Sequence, residues 1–482
     1  MKLKKNDNTT LSFKRIINAL NYFYKEINEL NNEDVGKLIK VIFSANISVY
    51  ISQDKSFSNQ VFEFQNTRGV KLSLLEKVKS KLMKEVYLNC DLDKTEQFID
   101  KIQNNFAEIF KHEELIKSKS FRGELSLDHI LRLHLRVIDD GSKINGNNND
   151  KSKFYSPSIS DNIEQSVLEY ISKRLESFKD NKDKKIAYVD NLSTKFKESV
   201  CFFCEELVNI DKENPLIGDC LILERDISIE FYILLYHLNK KDLLKNRELV
   251  EKWERLLYTR DFHDRYYRVW YRDDFQELYL KICSNKDVIG CLNDYVQNGF
   301  RPDLMDNNNL QETVKKFVDD KKEDILKNAY NLWFSNKLIY LLYKYEIDNS
   351  GNKEEVRNQL REVIKSGYSR EHILPQVGWE KFIEETIKDK NQIEKIKNSV
   401  KDVINGIGNL LIVTKNLNSE NGNKHPSKKT YPPEWGISYK NHNDNQSEWN
   451  NPENWERIIE ERGKKIFEYL RENLLRDLNL KN

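Results

Sequence analysis

Turn-forming residues are scarce in this sequence. Its 482 residues include 16 glycines and 8 prolines, together about 5% of the chain against an ordinary share of about 12%. Because glycine and proline end helices and form tight turns, their scarcity favours long helices. The 23 phenylalanines, 23 tyrosines and 7 tryptophans still supply enough aromatic surface for a core. The composition therefore predicts a folded, mainly α-helical protein and excludes a disordered chain.

Long apolar runs, an excess of one charge and a regular cysteine pattern are also missing. No segment approaches the roughly 18 apolar residues of a membrane-spanning helix, and the basic N-terminus lacks the apolar stretch of a secretory signal. The 79 basic and 78 acidic residues give a net charge of +1, which argues against binding nucleic acid through bulk charge. The six cysteines are few and irregularly spaced, so we expect reduced thiols and a cytoplasmic location.

The N-terminal part of the chain shows two kinds of apolar pattern. Over residues 11–27 apolar side chains recur every three or four positions, which predicts a helix. Residues 41–51 and 61–65 are β-branched and aromatic, which predicts strands, and a lysine-rich helix is expected from Ser73 onwards. Residues 1–90 are therefore interpreted as a small α/β segment.

Helical patterns then continue through residues 91–346. They are interrupted by a loop rich in Asn, Asp and Lys at 140–153. An Asp-Asn-Ser-Gly-Asn run at 348–352 is typical of a break between elements. We therefore predict a helical domain over 91–346 and a separate C-terminal domain over 347–482.

The C-terminal part places a carboxylate, a histidine and an asparagine on two predicted strands. Glu371 and His372 lie on a short strand that ends at Pro375. Residues 407–414, which include Asn409, predict a second strand. A polar, basic loop follows, with Asn418, Asn423, Lys424, Lys428 and Lys429. This order is expected of a ββα-metal nuclease site.

Phosphodiester hydrolysis explains why these residue types would occur together. A neutral imidazole can deprotonate water near neutral pH, which would make His372 the general base. Oxygen ligands from Glu371 and Asn418 suit Mg²⁺ or Mn²⁺, and Asn409 would hold the loop through its side-chain amide. The lysines lie where a phosphate backbone would bind. A histidine beside a glutamate is more often structural than catalytic, so the inference depends on the combination and order of these residues.

Four separated motifs in this region resemble the C-terminal His-Me finger (HNH-like) domain of the GmrSD-type, modification-dependent restriction nucleases. The motifs are EHILPQ, IGNLLIVT, LNSENGN with the following PSKK, and WERIIEER, preceded by LIYLLYKYE at 338–346. The resemblance covers about residues 330–482. It implies a metal-dependent DNA endonuclease that acts in bacterial antiphage defence, on DNA that includes modified phage DNA.

The resemblance also implies roles for individual residues. His372 becomes the catalytic base, Glu371 its neighbour at the metal, and Asn409 the amide that orients the loop. Asn418 and Asn423 form the polar pair beyond the second strand, and which of them touches the metal stays open. Further residues expected to contact DNA or support the site are Lys424, Lys428, Lys429 and Arg462 on the terminal helix.

A second resemblance lies near the N-terminus. The sequence VFEFQNTRGVKLSLLEKVKSKLM at 61–83 is similar to the turn that closes the ParB/sulfiredoxin-like NTPase domain of the same family. No DGQQR-type nucleotide-binding motif stands upstream of residue 61. The resemblance therefore implies that 1–90 are the tail of that domain, with a partner subunit carrying the rest or nucleotide dependence lost.

Two other functions remain open from the sequence. The helical middle could be a non-catalytic scaffold or sensor that binds a partner NTPase or modified DNA, or the chain could be an RNA-cleaving effector. Cys201 and Cys204 have zinc-knuckle spacing, but no second pair stands near them, so a core role is favoured.

Overall fold

A computed structural model of the chain describes residues 11–45, 72–118, 125–138, 162–267, 273–284, 287–298, 310–332 and 335–476. These residues are overwhelmingly helical, and within them the sheet consists of two strands. The prediction of a mainly α-helical protein is therefore confirmed. Across the same ranges no helix combines the length and the apolar character that crossing a bilayer requires.

The chain divides into two compact units. The first unit is Met1–Ser118, Ser126–Leu131 and Pro157–Cys201, and the second is Lys119–Leu125, Arg132–Ser156 and Phe202–Asn482. The helices that begin in the first unit are α1 Leu11–Glu29, α2 Asn32–Ser44, α3 Leu74–Asn89, α4 Leu92–Lys111, α5 Glu113–Ser118, α6 Leu127–Ile138, α7 Ile163–Ser177 and α8 Lys182–Cys201.

The core of the first unit forms where α3, α4 and α8 pack against one another. In α4 the buried residues Ile99, Ile102, Phe106 and Ile109 recur at helical spacing, so one stripe of the helix faces its neighbours. The start of α3 is held by a capping box between Ser73 and Glu76. That start confirms the lysine-rich helix expected from Ser73 onwards.

The N-terminal segment differs in part from its prediction. The helix expected over 11–27 is confirmed by α1, but the strand expected from residue 41 is wrong for residues 41–44, which complete α2. Asn31 caps that helix by accepting a hydrogen bond from the backbone N–H of Asp34, and start signals of this kind outweigh a weak strand propensity. Residues 46–71, which include the second predicted strand and the NTPase-like turn, lie outside the described residues.

The second unit contains the sheet and the remaining helices. Its helices after α6 are α9 Leu207–Glu213, α10 Leu216–Leu223, α11 Arg225–His237, α12 Arg247–Tyr267, α13 Asp273–Ser284, α14 Val288–Asn298, α15 Leu310–Asp320, α16 Lys322–Leu332, α17 Ser335–Asp348, α18 Lys353–Lys365, α19 Trp379–Thr386, α20 Lys390–Val403, α21 Lys415–Asn421, α22 Ile437–Asp444 and α23 Trp455–Tyr469. The strands are β1 Tyr368–His372 and β2 Leu410–Thr414. Short turns of 3₁₀ helix lie at Lys241–Lys245, Ile407–Asn409, Pro426–Lys428, Pro433–Trp435, Glu448–Asn450 and Pro452–Asn454, and π-helical turns at Phe202–Glu206 and Leu470–Leu474.

Helix α17 lies at the centre of this unit. Its residues 338–343 are almost completely buried, and it packs against α10, α18, α23 and β2. A helix that is apolar around most of its circumference needs neighbours on several sides. The neighbours of α17 belong to two regions of the unit. One is the helical core, in which Phe231 stacks on Trp253 at 4.0 Å between ring centroids. The other is the sheet that carries the predicted site.

A close backbone approach fixes the turn before β2. A Cβ atom built on Gly408 would lie 1.8 Å from the carbonyl oxygen of Ile459 and 2.7 Å from the backbone nitrogen of Gly463. Both neighbours are backbone atoms of α23, so they cannot rotate away. A residue without a side chain is therefore required where the Ile407–Asn409 turn meets α23.

We expect Gly408→Ala to lower the free energy of unfolding by about 3 kcal/mol, because the methyl group forces the turn and α23 apart. Urea unfolding followed by circular dichroism would measure the change. Gly351→Ala is the matched control, since a Cβ there meets no atom within 4 Å, and it should change stability by less than about 0.5 kcal/mol. Equal effects of the two substitutions would contradict the interpretation.

Candidate functional site

The two strands pair antiparallel and bring the predicted motifs together. Tyr368 lies opposite Thr414, and His372 lies opposite Leu410. Glu371 and His372 therefore occupy the last two positions of β1, beside the start of β2. The two strands predicted from the EHILPQ and IGNLLIVT motifs are confirmed, with β2 beginning at Leu410 rather than at residue 407.

Asn409 joins the end of β1 to the turn before β2. Its side chain is fully buried. The Oδ1 atom accepts a hydrogen bond from the backbone N–H of Leu374 at 2.8 Å, and Nδ2 donates to the carbonyl oxygens of Leu374 at 2.9 Å and Ile404 at 2.8 Å. A single amide thus satisfies three backbone groups that no regular element pairs. These bonds fix the chain directly after His372.

His372 is buried in a neutral state. Its ring lies 4.9 Å from the ring of Tyr330, between centroids, and its Nε2 atom is buried with no hydrogen-bond partner among the described residues. Burial, together with the nearby positive charges of Lys429 and Arg370, lowers the pKa of His372 to about 4, against an opposing hydrogen bond to Asn405. At neutral pH the imidazole therefore carries an unprotonated nitrogen, which is the form a general base needs.

Glu371 forms a buried ion pair. Its Oε1 atom lies 2.7 Å from Nζ of Lys429 and accepts a hydrogen bond from the hydroxyl of Tyr431 at 3.2 Å. Lys429 also donates to the backbone carbonyl of His372 at 2.7 Å. Burial raises the pKa of Glu371 and lowers the pKa of Lys429, while each partner's charge opposes the shift of the other.

The contacts of β1 fall into two sets. Arg370 and His372 both meet Tyr330, since the Arg370 guanidinium lies 4.0 Å from the centre of that ring. Ser369 instead accepts a hydrogen bond from Nδ2 of Asn418 at 2.8 Å, and Glu371 meets Lys429. Alternate residues of a strand point to opposite faces. The structure therefore brings Glu371 and Asn418 to one side of β1 and His372 to the other.

The remaining predicted site residues differ in exposure. Asn418 is half-buried, and Asn423, Lys424 and Lys428 are exposed. Arg462 is bonded inside the domain: Nη1 donates to the carbonyls of Gly408 at 2.8 Å and Leu410 at 2.9 Å, and Nε donates to Ser438 at 3.0 Å. Most donors of this guanidinium are therefore occupied by protein acceptors.

Residues 316–468 match the family model of the GmrSD restriction endonucleases, C-terminal domain. The match supports the resemblance drawn from the C-terminal motifs, and we refer to residues 316–468 as the GmrSD-type domain. The paired strands and their surrounding residues therefore lie within a segment that is similar to a domain of restriction endonucleases. Comparison of the chain with curated proteins and with solved structures gave no significant match.

Four residues of the GmrSD-type domain surround the site without having been predicted from the sequence. Tyr330 and Asn405 adjoin His372, and Tyr431 adjoins Glu371. His442 lies 3.2 Å from the carbonyl oxygen of Lys429 through Nε2, and its ring lies 5.0 Å from that of Tyr431. Each is separated from its partner by at least eleven positions, and no local pattern marks it. The sequence offered one signal for these residues, which is the occurrence of Tyr431 and His442 in an otherwise polar stretch.

Glu371 and Asn418, on one side of β1, carry oxygen atoms that suit a hard cation. Carboxylate and amide oxygens are the ligands that Mg²⁺ prefers. The Lys429 ammonium already occupies Oε1 of Glu371, however, so a metal ion would have to compete with it. In the ranges that the structure describes, no group of three or more His, Cys, Asp and Glu residues has the arrangement of a metal site. A cation here would therefore rely on Glu371, Asn418, water and substrate oxygens.

We expect Lys429→Met and Glu371→Gln each to destabilise the chain by about 3–5 kcal/mol, because each leaves one buried charge without its partner. The double variant should lose less than the sum of the two. Lys428→Met is the matched control, since the neighbouring lysine is exposed and its removal should cost less than about 0.5 kcal/mol. Urea unfolding measures all four variants. A Lys429→Met effect as small as that of Lys428→Met would contradict the buried pair.

The buried histidines predict a loss of stability in acid. The pKa values of His372 and His442 in the folded chain are about 4, below the ordinary value of 6.5. The unfolded chain therefore binds protons first, so their contribution is complete above pH 6.5 and is lost as the pH falls towards 4.

His372→Gln removes one of these titrations. Between pH 6 and 4.5 the free energy of unfolding of this variant should fall less steeply than that of the wild type, by up to about 1.4 kcal/mol per pH unit. Urea titrations at a series of pH values compare the slopes. Identical slopes would show that His372 is not held neutral.

Proposed function

We propose that the chain is a metal-dependent DNA endonuclease that hydrolyses phosphodiester bonds in bacterial antiphage defence. The observation that carries the proposal is His372, a buried neutral histidine whose Nε2 has no partner among the described residues, at the end of β1 in the GmrSD-type domain. A general base needs an unprotonated nitrogen at working pH. The low pKa of His372 supplies that nitrogen over the whole physiological range.

His372 would take the proton from the attacking water. The Asn409 hydrogen bonds to Leu374 and Ile404 hold the backbone after His372, so the imidazole keeps its orientation while the proton transfers. Asn409 is thus a positioning residue in this proposal. Its three bonds preorganise the base before substrate arrives.

Glu371 and Asn418 would hold the Mg²⁺ or Mn²⁺ ion, with Asn423 as the other candidate ligand. When bound, the ion stabilises the negative charge on the reacting phosphate and the leaving oxygen. Asn418 is oriented for this by its bond to Ser369. Lys429 already binds Oε1 of Glu371, so the metal ion would have to compete with Lys429 for this carboxylate.

DNA would contact the segment after α21. Lys424 and Lys428 are exposed there, and exposed lysines in such a position bind backbone phosphates without reading sequence. Lys429 and Arg462 are engaged within the domain instead. They support the site in this proposal, and Lys424 with Lys428 supply the phosphate contacts.

A partner subunit with an NTPase domain would complete the system. Two features support a requirement for activation: Nε2 of His372 is buried, and Glu371 is held by Lys429. Because His372 and Glu371 lie on opposite sides of β1, both groups must become accessible and approach one another before water, metal and phosphate can meet. Binding of DNA or of a partner would supply the free energy for that change.

We expect His372→Ala to abolish nicking of supercoiled plasmid or phage DNA, since no base then remains at the end of β1. The assay uses the purified chain with Mg²⁺ or Mn²⁺, alone and with the product of the neighbouring gene, and agarose gels measure the nicked fraction. His129→Ala, a histidine outside the GmrSD-type domain, is the control and should cleave like the wild type. Cleavage that survives both His372→Ala and EDTA would refute the mechanism.

The Glu371–Lys429 ion pair favours a second candidate function. A lysine that permanently occupies the carboxylate would leave the domain without its metal, as a non-catalytic module that binds DNA or a partner NTPase. Calorimetric titration with Mn²⁺ separates the two functions: saturable binding that Glu371→Gln weakens supports the nuclease. DNA or partner binding without Mn²⁺ binding supports the module. An RNA substrate in the nicking assay tests the RNA-cleaving alternative.

A further inference from the structure

A polar cavity of about 650 Å³ opens in the second unit, apart from the residues of the proposed nuclease site. It lies among the start of α10, the N-terminal half of α12, the α17–α18 connection and the Leu470–Leu474 turn. Seven basic and four acidic residues line it. None of them is among the residues assigned to catalysis, metal or DNA. The cavity therefore carries an excess of positive charge with no assigned purpose.

Part of that charge is neutralised within the protein. Lys344 lies 3.3 Å from Glu254 and 3.5 Å from Asp219. Burial alone would raise the pKa of Asp219, but Lys344, Arg361 and Arg357 lower it to about 2, so this carboxylate is ionised. Lys344 is thus matched by two carboxylates, and it contributes little to the surplus.

Two arginines of the cavity lining each have a buried Nε donor without a hydrogen-bond partner in the part of the chain that the structure describes. Arg255 is 3% exposed; its Nη1 donates to the carbonyl of Leu474 at 2.6 Å, but its Nε is buried without a hydrogen-bond partner. Nε of Arg357 is also buried without a partner and approaches Oδ1 of Asp219 only at 3.5 Å. That oxygen already accepts hydrogen bonds from Tyr343 and Arg361.

Buried guanidinium donors without acceptors are costly and call for a partner. A guanidinium donates through a planar fork that matches the oxygens of phosphate groups. Lys353 and Arg476 are half-exposed in the lining, where Lys353 lies 3.6 Å from Asp348 and Arg476 lies 3.9 Å from Glu251. The volume corresponds to a small-molecule site, for which 300–1,000 Å³ is typical, and is too small for a duplex.

We propose that this cavity binds a compact polyanion of the phosphate class, with at least two adjacent phosphate groups. Arg255 and Arg357 receive its oxygens in the interior, and Lys353 and Arg476 attract it from solvent. The α17 and α18 helices that border the cavity also lead into β1, so the ligand binds next to the elements that support the nuclease site.

The test is calorimetric titration of the full chain with sodium pyrophosphate and with tripolyphosphate at constant ionic strength. We expect saturable binding and a raised thermal unfolding midpoint, since a ligand specific for the folded state stabilises it. Arg357→Gln should weaken binding at least about tenfold, because it removes a charge-assisted contact. Arg476→Gln should weaken it about threefold by removing a charge at the entrance.

The matched control is Arg457→Gln. Arg457 is 50% exposed and paired with a glutamate, as the 49% exposed Arg476 is, but it does not line the cavity. Its loss should leave affinity unchanged. Absence of saturable binding, or affinities of Arg357→Gln and Arg476→Gln equal to that of the control in folded protein, would overturn the proposal.

Two further ligands identify the source of the phosphates. Adenosine diphosphate that binds more than tenfold tighter than pyrophosphate would support a nucleotide, and equal affinities would support an inorganic or other small phosphate. A single-stranded oligonucleotide that binds in an Arg357-dependent manner while pyrophosphate does not would overturn the compact ligand in favour of nucleic acid.

Discussion

The burial of α17 is the constraint on which the second unit depends. This helix has apolar neighbours around most of its surface, yet it carries Lys344 and Glu346, both nearly inaccessible. Residues two apart on a helix point in nearly opposite directions. Lys344 therefore meets Asp219 and Glu254 in the helical core, whereas Glu346 accepts a hydrogen bond from the backbone N–H of Ser438 and pairs with Arg462 at 3.7 Å. Buried charges of this kind permit one orientation of the helix.

Arg462, the partner of Glu346, connects α17 to the candidate site. That arginine binds the carbonyl oxygens of Gly408 and Leu410, on either side of Asn409, whose own amide fixes the chain after His372. Hydrogen bonds through Ser438 and Arg462 thus connect this buried helix to the turn that precedes β2. Catalytic side chains need support of this kind, because small displacements of a base are costly to the rate. The two sides of β1 differ in charge, because neutral His372 lies on one side and ion-paired Glu371 lies on the other.

Several of these features could be predicted from the sequence, and they share a physical reason. The scarcity of glycine and proline predicted a helical chain, and the runs around Glu371 and Leu410 predicted two strands, because backbone preferences act over a few neighbouring residues. The same local reasoning was wrong for residues 41–44, where β-branched residues end α2. There the Asn31 cap and the first-turn acids Glu33 and Asp34 favour the helix, and such start signals outweigh the weak strand preference of its last residues.

The adjacent lysines 428 and 429 show where the sequence stops being sufficient. The sequence itself contains two consecutive basic residues after an asparagine-rich loop, and residues 316–468 match the C-terminal domain of the GmrSD restriction endonucleases. Only the tertiary structure decided that Lys428 is exposed while Lys429 is buried against Glu371, and that Tyr330 adjoins His372. The burial and pairing of these side chains depend on residues about 40 to 60 positions away in the sequence. The free energy of a buried charge depends on those neighbouring groups. The same dependence keeps the His372 imidazole neutral and leaves Arg255 and Arg357 each with a buried donor without a partner among the described residues.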